Sequence, residues 1–165
     1  VVEETNIRIL IYEAAFSSMA VSGELDFFSY KVSLTPDQRS REQAVRIKLG
    51  ALRSCVEGRR VVMIDDSIVW GTTSRQIVVL LREAGAVQVH LRISAPPFIA
   101  PCYFGTDIPD SEHLIAHDRS PEEICALTGA DSLGFLPLKI LHQIAPDAGC
   151  GFCDGCFTGN YPIRR

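Results

Sequence analysis

Val61-Val62-Met63-Ile64-Asp65-Asp66-Ser67-Ile68-Val69-Trp70-Gly71-Thr72-Thr73 fixes the architecture expected of the whole chain. An apolar run ends in two adjacent carboxylates, a short loop with Gly, Ser and Thr follows, and helical periodicity begins. The uninterrupted apolar run Val61–Ile64 predicts a strand buried on both faces of a parallel sheet. Thr73 and Gln76 have the spacing of a capping box, and Ile77, Leu80, Leu81 and Ala84 fall on one helical stripe that Gly85 ends. Val87, Val89, Leu91 and Ile93 then alternate with Gln88, His90 and Arg92, the period of a strand. Residues 61–93 therefore read as strand–helix–strand, which demands a parallel pairing and an α/β fold.

Outward from this unit, Ile7–Tyr12 reads as a strand and residues 13–34 have no clear pattern. Thr35-Pro36-Asp37-Gln38 opens a helix to about Leu49, with Thr35 as N-cap and Gln38 closing the box. Pro96, Pro97 and Pro101 stop the strand that ends near Ile93. Ser120-Pro121-Glu122-Glu123 starts a helix that Gly129 closes. Leu133–Leu136 predicts a short strand and Pro137–Ile144 a short helix. The chain closes in a tail rich in Gly and Cys.

Asp65 and Asp66 are consecutive, so in a strand they point to opposite faces. At its carboxyl end both can turn toward the crevice above the sheet, where open α/β folds bind ligands. Two carboxylates there can hold Mg²⁺ or accept ribose hydroxyls. Gly71 permits close backbone approach, Ser67, Thr72 and Thr73 supply hydroxyls, and amides at the helix mouth form a nest for phosphate. The expectation is a site for a phosphorylated sugar. The bland alternative is a solvated acid pair beside a capped helix.

Bulk composition is compatible with one soluble globular domain. The chain has 165 residues, 47% hydrophobic and 22% charged, with net charge −4. No basic run suggests nucleic acid. No apolar segment approaches the roughly 20 residues needed to span a bilayer. Val1-Val2-Glu3-Glu4 shows no signal-peptide pattern, so a cytoplasmic location is expected. The six cysteines are Cys55, Cys102, Cys125, Cys150, Cys153 and Cys156. Two-residue spacers at Cys150-x-x-Cys153-x-x-Cys156 suit a metal ion or cluster, with Zn²⁺ and plain reduced thiols as alternatives. Cys55 and Cys125 read as structural thiols, and His90, His113, His117 and His142 as ordinary histidines. Tyr103-Phe104 reads as packing beside Cys102.

The thirteen-residue string resembles the phosphoribosyl-pyrophosphate signature of type I phosphoribosyltransferases. Further blocks resemble the amidophosphoribosyltransferase family: Arg41–Leu49, Val56-Glu57-Gly58-Arg59-Arg60, Cys102-Tyr103-Phe104-Gly105-Thr106-Asp107 and Cys153-Asp154-Gly155-Cys156-Phe157-Thr158-Gly159-Asn160-Tyr161-Pro162. The similarity runs over about residues 34 to 162. It implies a partial type I phosphoribosyltransferase-like α/β fold with a parallel sheet. The implied segments are a divergent stretch at 1–33, a phosphoribosyltransferase-like domain at 34–145 and a Cys-rich tail at 146–165.

The resemblance implies that Asp65 and Asp66 contact Mg²⁺ and ribose. Ser67, Ile68, Val69, Gly71, Thr72 and Thr73 would embrace the 5′-phosphate. The implied reaction is displacement of pyrophosphate from C1 of phosphoribosyl pyrophosphate by ammonia, giving 5-phosphoribosylamine for purine biosynthesis, and no catalytic general base is named. Cys102, Cys153 and Cys156 match ligands of a [4Fe–4S] cluster whose fourth ligand would lie upstream. The family usually has Arg at the position of Trp70, which implies weaker local attraction for phosphate here. Ammonia would come from a glutaminase domain absent from this chain, and the enzyme would be a homo-oligomer. The alternative is a truncated or divergent, non-catalytic phosphoribosyl- or nucleotide-binding module with a vestigial iron–sulfur site.

Overall fold

The computed structural model describes the strands at 7–12 and 28–30, then residues 53–104, 110–144, 147 and 149–163. The helix expected from Thr35 to Leu49 lies outside the described residues. Among the described residues five strands form one parallel sheet: β1 (Ile7–Tyr12), β2 (Phe28–Tyr30), β3 (Arg60–Asp65), β4 (Gln88–Ile93) and β5 (Ser132–Phe135). Their spatial order is β2-β1-β3-β4-β5. The chain steps from β1 outward to β2, then returns to the other side of β1 to lay down β3. The β1/β3 boundary is therefore a topological switch point, the place where open α/β sheets bind ligands. Asp65 is the last residue of β3. β2, which no sequence pattern signalled, is only three residues long.

The expectation of a strand buried on both faces is corrected. Val61, Met63 and Asp65 are buried in β3, whereas the alternate residues Arg60, Val62 and Ile64 are only half-buried. Val89, Leu91 and Ile93 of β4 share the buried face. Two helices, α1 (Thr72–Glu83) and α2 (Pro121–Thr128), bring Ile77, Val78, Leu81 and Ile124 into the same core. Each such side chain contributes about 1.5–3 kcal/mol by leaving water.

Two details of α1 also depart from expectation. Val78 rather than Leu80 is fully buried, because the sheet takes the stripe of Ser74, Ile77, Val78 and Leu81. The N-cap is Gly71 in a left-handed conformation (φ 77°), with no side-chain cap, so the expected Thr73–Gln76 box does not form.

α2 follows its local code. Ser120 Oγ accepts from the Glu123 N–H (3.2 Å), Glu123 Oε2 accepts from the Ser120 N–H (2.7 Å), and Pro121 takes the first turn. Replacing Ser120 by Ala should lower stability by about 1 kcal/mol, read as a fall in the denaturant midpoint with unchanged slope. Two four-residue helices follow among the described residues: α3 (Leu138–Leu141), shorter than the expected Pro137–Ile144, and α4 (Gly155–Thr158) in the tail.

Candidate functional site

The buried end of β3 controls the site. Asp65 is 4% exposed while Asp66 is exposed, as the alternation of a strand requires. An Asp65 carboxylate oxygen accepts the Asp66 N–H at 2.9 Å, and the Asp65 carbonyl accepts the Ser94 N–H at 2.9 Å. Burial, then the neighbouring Asp66 charge, push the Asp65 carboxyl up to about 7, with the Asp66 N–H opposing the rise. A buried carboxylate beside a like charge is the environment that a cation relieves.

Beyond the acids the loop is fastened from behind. Ile68 is 2% exposed and acts as an apolar anchor. The Ile115 N–H donates to the Val69 carbonyl at 2.8 Å. The Ile115 side chain lies against Gly71 so closely that a Cβ there would overlap its Cδ1 and sit 3.3 Å from its Cγ1. Gly71 is thus required twice, by its positive φ and by this approach. The turn into α1 leaves the first-turn N–H groups without a side-chain cap, and no acidic side chain occupies that turn. Those amides and the helix dipole favour an anion.

Asp65, Asp66, Ser67, Ile68, Val69, Gly71, Thr72 and Thr73 line one concavity of about 260 Å³, which also takes in Trp70 and Ser74. Every phosphate-site residue expected from the sequence falls in it. A second cavity of about 510 Å³ adjoins it through Trp70 and Thr72 and is also lined by Asp110 and His113. Trp70 is 55% exposed there. His113 Nδ1 and Asp110 Oδ1 lie 2.9 Å apart, which lowers the Asp110 carboxyl and raises the His113 imidazole. Sequence reasoning passed over this pair, since Asp110 and His113 are about forty residues from Trp70 and carry no motif.

The thiols divide into two groups. Cys102 and Cys156 are half-buried and Cys153 is exposed. Burial raises the Cys156 thiol, followed by the charges of Cys102 and, more weakly, Cys153, so the three share one electrostatic neighbourhood. Cys150 is exposed and is not among the groups that shift Cys156. Cys55 packs against the core, and the Cys125 thiol donates to the Ala130 carbonyl. Among the described residues no three His, Cys, Asp or Glu side chains converge closely enough for one ion. A single Zn²⁺, with Zn–S near 2.3 Å, would need the trio drawn together. Mg²⁺ makes no such demand, since one or two carboxylates plus substrate phosphates suffice for it. No helix among the described residues is long and apolar enough to cross a membrane.

No family model matches the chain. It is 54% identical over 135 residues to the amidophosphoribosyltransferase of Bacillus subtilis (strain 168), covering 79% of this chain and 28% of that protein. It is 49% identical over 132 residues to the Archaeoglobus fulgidus amidophosphoribosyltransferase, covering 79% of this chain and 29% of that protein. It is likewise 49% identical over 131 residues to the chloroplastic enzyme of Glycine max, covering 79% of this chain and 23% of that protein. The chain thus spans about a quarter of the length of these curated relatives.

Among solved structures, the allosteric regulatory enzyme of purine biosynthesis superposes with a TM-score of 0.71 at 39% identity, covering 95% of this chain and 37% of that one. The B. subtilis glutamine phosphoribosylpyrophosphate amidotransferase complexed with ADP and GMP gives 0.70 at 37%, covering 96% and 38%. The parallel α/β sheet is that of these structures.

Proposed function

We propose that this chain, similar over four-fifths of its length to amidophosphoribosyltransferases, is the part of such an enzyme that binds phosphoribosyl pyrophosphate. The observation that carries the reading is the continuous concavity lined from Asp65 to Ser74 at the switch point of the sheet. A helix mouth and two carboxylates open into one space.

In this reading the amides of the Gly71–Ser74 turn, with the hydroxyls of Ser67, Thr72 and Thr73, hold the 5′-phosphate. Asp66, on the exposed side, accepts the ribose hydroxyls. Asp65 and Asp66 together are the residues that would hold Mg²⁺, which when bound supplies charge neutralisation for the departing pyrophosphate. The chain's own contribution is orientation. It fixes the phosphate and ribose on a backed loop, so that C1 is presented to ammonia in one pose. No residue is assigned as general base.

Ammonia would arise from glutamine on a segment outside these 165 residues, and the product would be 5-phosphoribosylamine for purine synthesis. Residues 34–145 would form the phosphoribosyltransferase-like unit of a homo-oligomeric enzyme. Residues 146–165 would form a tail that, with Cys102, offers Cys153 and Cys156 to an iron–sulfur cluster. A cytoplasmic location is part of this reading, while the Glycine max relative is described as chloroplastic.

Titration of the chain with phosphoribosyl pyrophosphate should show saturable binding that strengthens with Mg²⁺. Absence of binding in both conditions would defeat the proposal. Ammonia-dependent pyrophosphate release tests catalysis separately. Binding without release would favour the alternative of a non-catalytic module, to which the neutral, exposed indole of Trp70 at the loop lends some support.

A further inference from the structure

The two segments that carry the cysteines are far apart in sequence, and the structure ties them together at several points. The Ile99 and Ala100 N–H groups both donate to the Cys156 carbonyl, at 2.9 and 3.1 Å. The rings of Phe98 and Phe157 lie 4.8 Å apart. These contacts bracket the segment N-terminal to Cys102. On the other side the contacts converge on one residue. The Tyr161 ring lies 4.8 Å from that of Tyr103 and 6.3 Å from that of Phe104. It also covers Gly155, where an added Cβ would overlap its ring. Its hydroxyl donates to the Pro101 carbonyl, immediately before Cys102.

We infer that Tyr161 is the positioning residue of the cysteine site. Its ring closes over Gly155, which separates Cys153 from Cys156 in the sequence, and packs against Tyr103, while its hydroxyl holds the backbone next to Cys102. The two chain segments that supply the three thiols are thereby docked against each other, although in the unliganded chain the thiols themselves do not converge closely enough for one ion. This inference rests on the reading of Cys102, Cys153 and Cys156 as a ligand set and adds what assembles it.

The chemistry supports such a role. Three thiolates near one another repel, and a metal or cluster offsets that repulsion only when bound. Docking the two segments beforehand shortens the movement that ligation then requires of the thiols. A tyrosine suits this, because its ring packs and its hydroxyl satisfies a carbonyl that loop geometry would leave to water. Glycine at 155 is needed because any side chain there would displace the ring. Tyr161 has no part in the buried apolar cluster of the sheet, so its replacement should leave that core intact.

The test uses the full reduced chain, kept anaerobic, with Cd²⁺ alone as the probe. The ultraviolet thiolate-to-cadmium charge-transfer band reports how many thiolates bind, and its titration reports affinity. The wild-type band should exceed that of Cys102→Ser by one thiolate. Tyr161→Ala should fall to the Cys102→Ser intensity and lose about 10–100-fold in Cd²⁺ affinity, the usual cost of removing an outer partner of a metal ligand. Tyr161→Phe, which keeps the ring, should recover most of the band with an intermediate affinity. If the alanine variant loses its far-ultraviolet circular dichroism, Tyr161→Leu takes its place.

Wild-type band and affinity in both the Phe and the Ala (or Leu) variants would overturn the assignment of Tyr161. A wild-type band that Cys102→Ser leaves unchanged would also overturn it, since Cys150 would then be completing the set. Failure of the wild-type chain to give any thiolate band would instead sink the underlying reading of the cysteines.

Discussion

Asp65→Asn should make the ligand-free protein more stable at pH 8 while removing its response to Mg²⁺ and phosphoribosyl pyrophosphate. The Asp65 carboxyl sits at about 7 against an ordinary 3.8, because burial and then Asp66 disfavour its charge. The sign follows from the raised value. Below about pH 4 the group is protonated in folded and unfolded chains alike and costs nothing. Between about pH 4 and 7 the unfolded chain releases its proton first, so stability falls as pH rises, and above about 7 the full cost is present. At about 1.4 kcal/mol per pH unit that cost approaches roughly 4 kcal/mol. The Asn amide oxygen can still accept the Asp66 N–H, so the hydrogen bond at 2.9 Å need not be lost.

Thermal melts at pH 4 and pH 8 check the claim. A gain of about 2–4 kcal/mol is expected at pH 8 and almost none at pH 4. Mg²⁺ with phosphoribosyl pyrophosphate should raise the melting temperature of the wild type by mass action and leave that of the variant unchanged. A variant that is no more stable at pH 8 would mean that Asp65 is not a buried, uncompensated acid. A variant that still binds with wild-type affinity would remove Asp65 from the proposed site. The combination expected, greater stability with lost binding, marks a residue kept for function at a cost to the fold.

Gly71→Ala should cripple phosphate binding with a smaller loss of stability. An alanine at φ 77° pays roughly 1–2 kcal/mol for the left-handed backbone. Its methyl must also displace Ile115, whose N–H holds the Val69 carbonyl. The clash is with the far end of a flexible side chain, so Ile115 can yield in part, and the loop moves with it. A displacement on the order of 1 Å at a positioning loop can cost on the order of 10²-fold in turnover. The companion Gly71→Ala/Ile115→Ala removes the overlap but not the backbone strain, and should recover part of the affinity. Isothermal titration with phosphoribosyl pyrophosphate reads both effects. Unchanged affinity in Gly71→Ala would show that the turn does not grip the ligand.

The contrast between the two ends of α1 and α2 shows how much was legible in advance. Ser120, Pro121 and Glu123 act within one turn of their own helix, so their capping box could be read directly and is found as read. Thr73 and Gln76 have the same spacing, yet the N-cap falls two residues earlier, on a left-handed Gly71, and the helix opens at Thr72. What overrides the local signal is Ile115, more than forty residues away, packed against the turn and bonded to Val69. Similarly, helical period alone could not choose between Leu80 and Val78. The choice depends on how α1 lies across β3 and β4.

The candidate site divides in the same way. Asp65 through Thr73 are contiguous, so their gathering at the end of β3 was readable from the strand–loop–helix pattern. Asp110 and His113, beside Trp70 in the adjoining cavity, were not. The spacing of Cys153 and Cys156 was visible, while the devices that bring Cys102 to them, Tyr161 above all, lie in tertiary contacts.

From its sequence alone, this protein reads as a parallel α/β chain with a glycine-bearing turn after an acid-tipped strand, because period, caps and turn residues act over a few positions. Which face of β3 is buried, how far burial lifts the Asp65 carboxyl, and what fastens the loop and the cysteine tail emerge only once the chain is packed. Those outcomes depend on partners distant in the chain, whose meeting is set by the packing of the whole sheet and its helices.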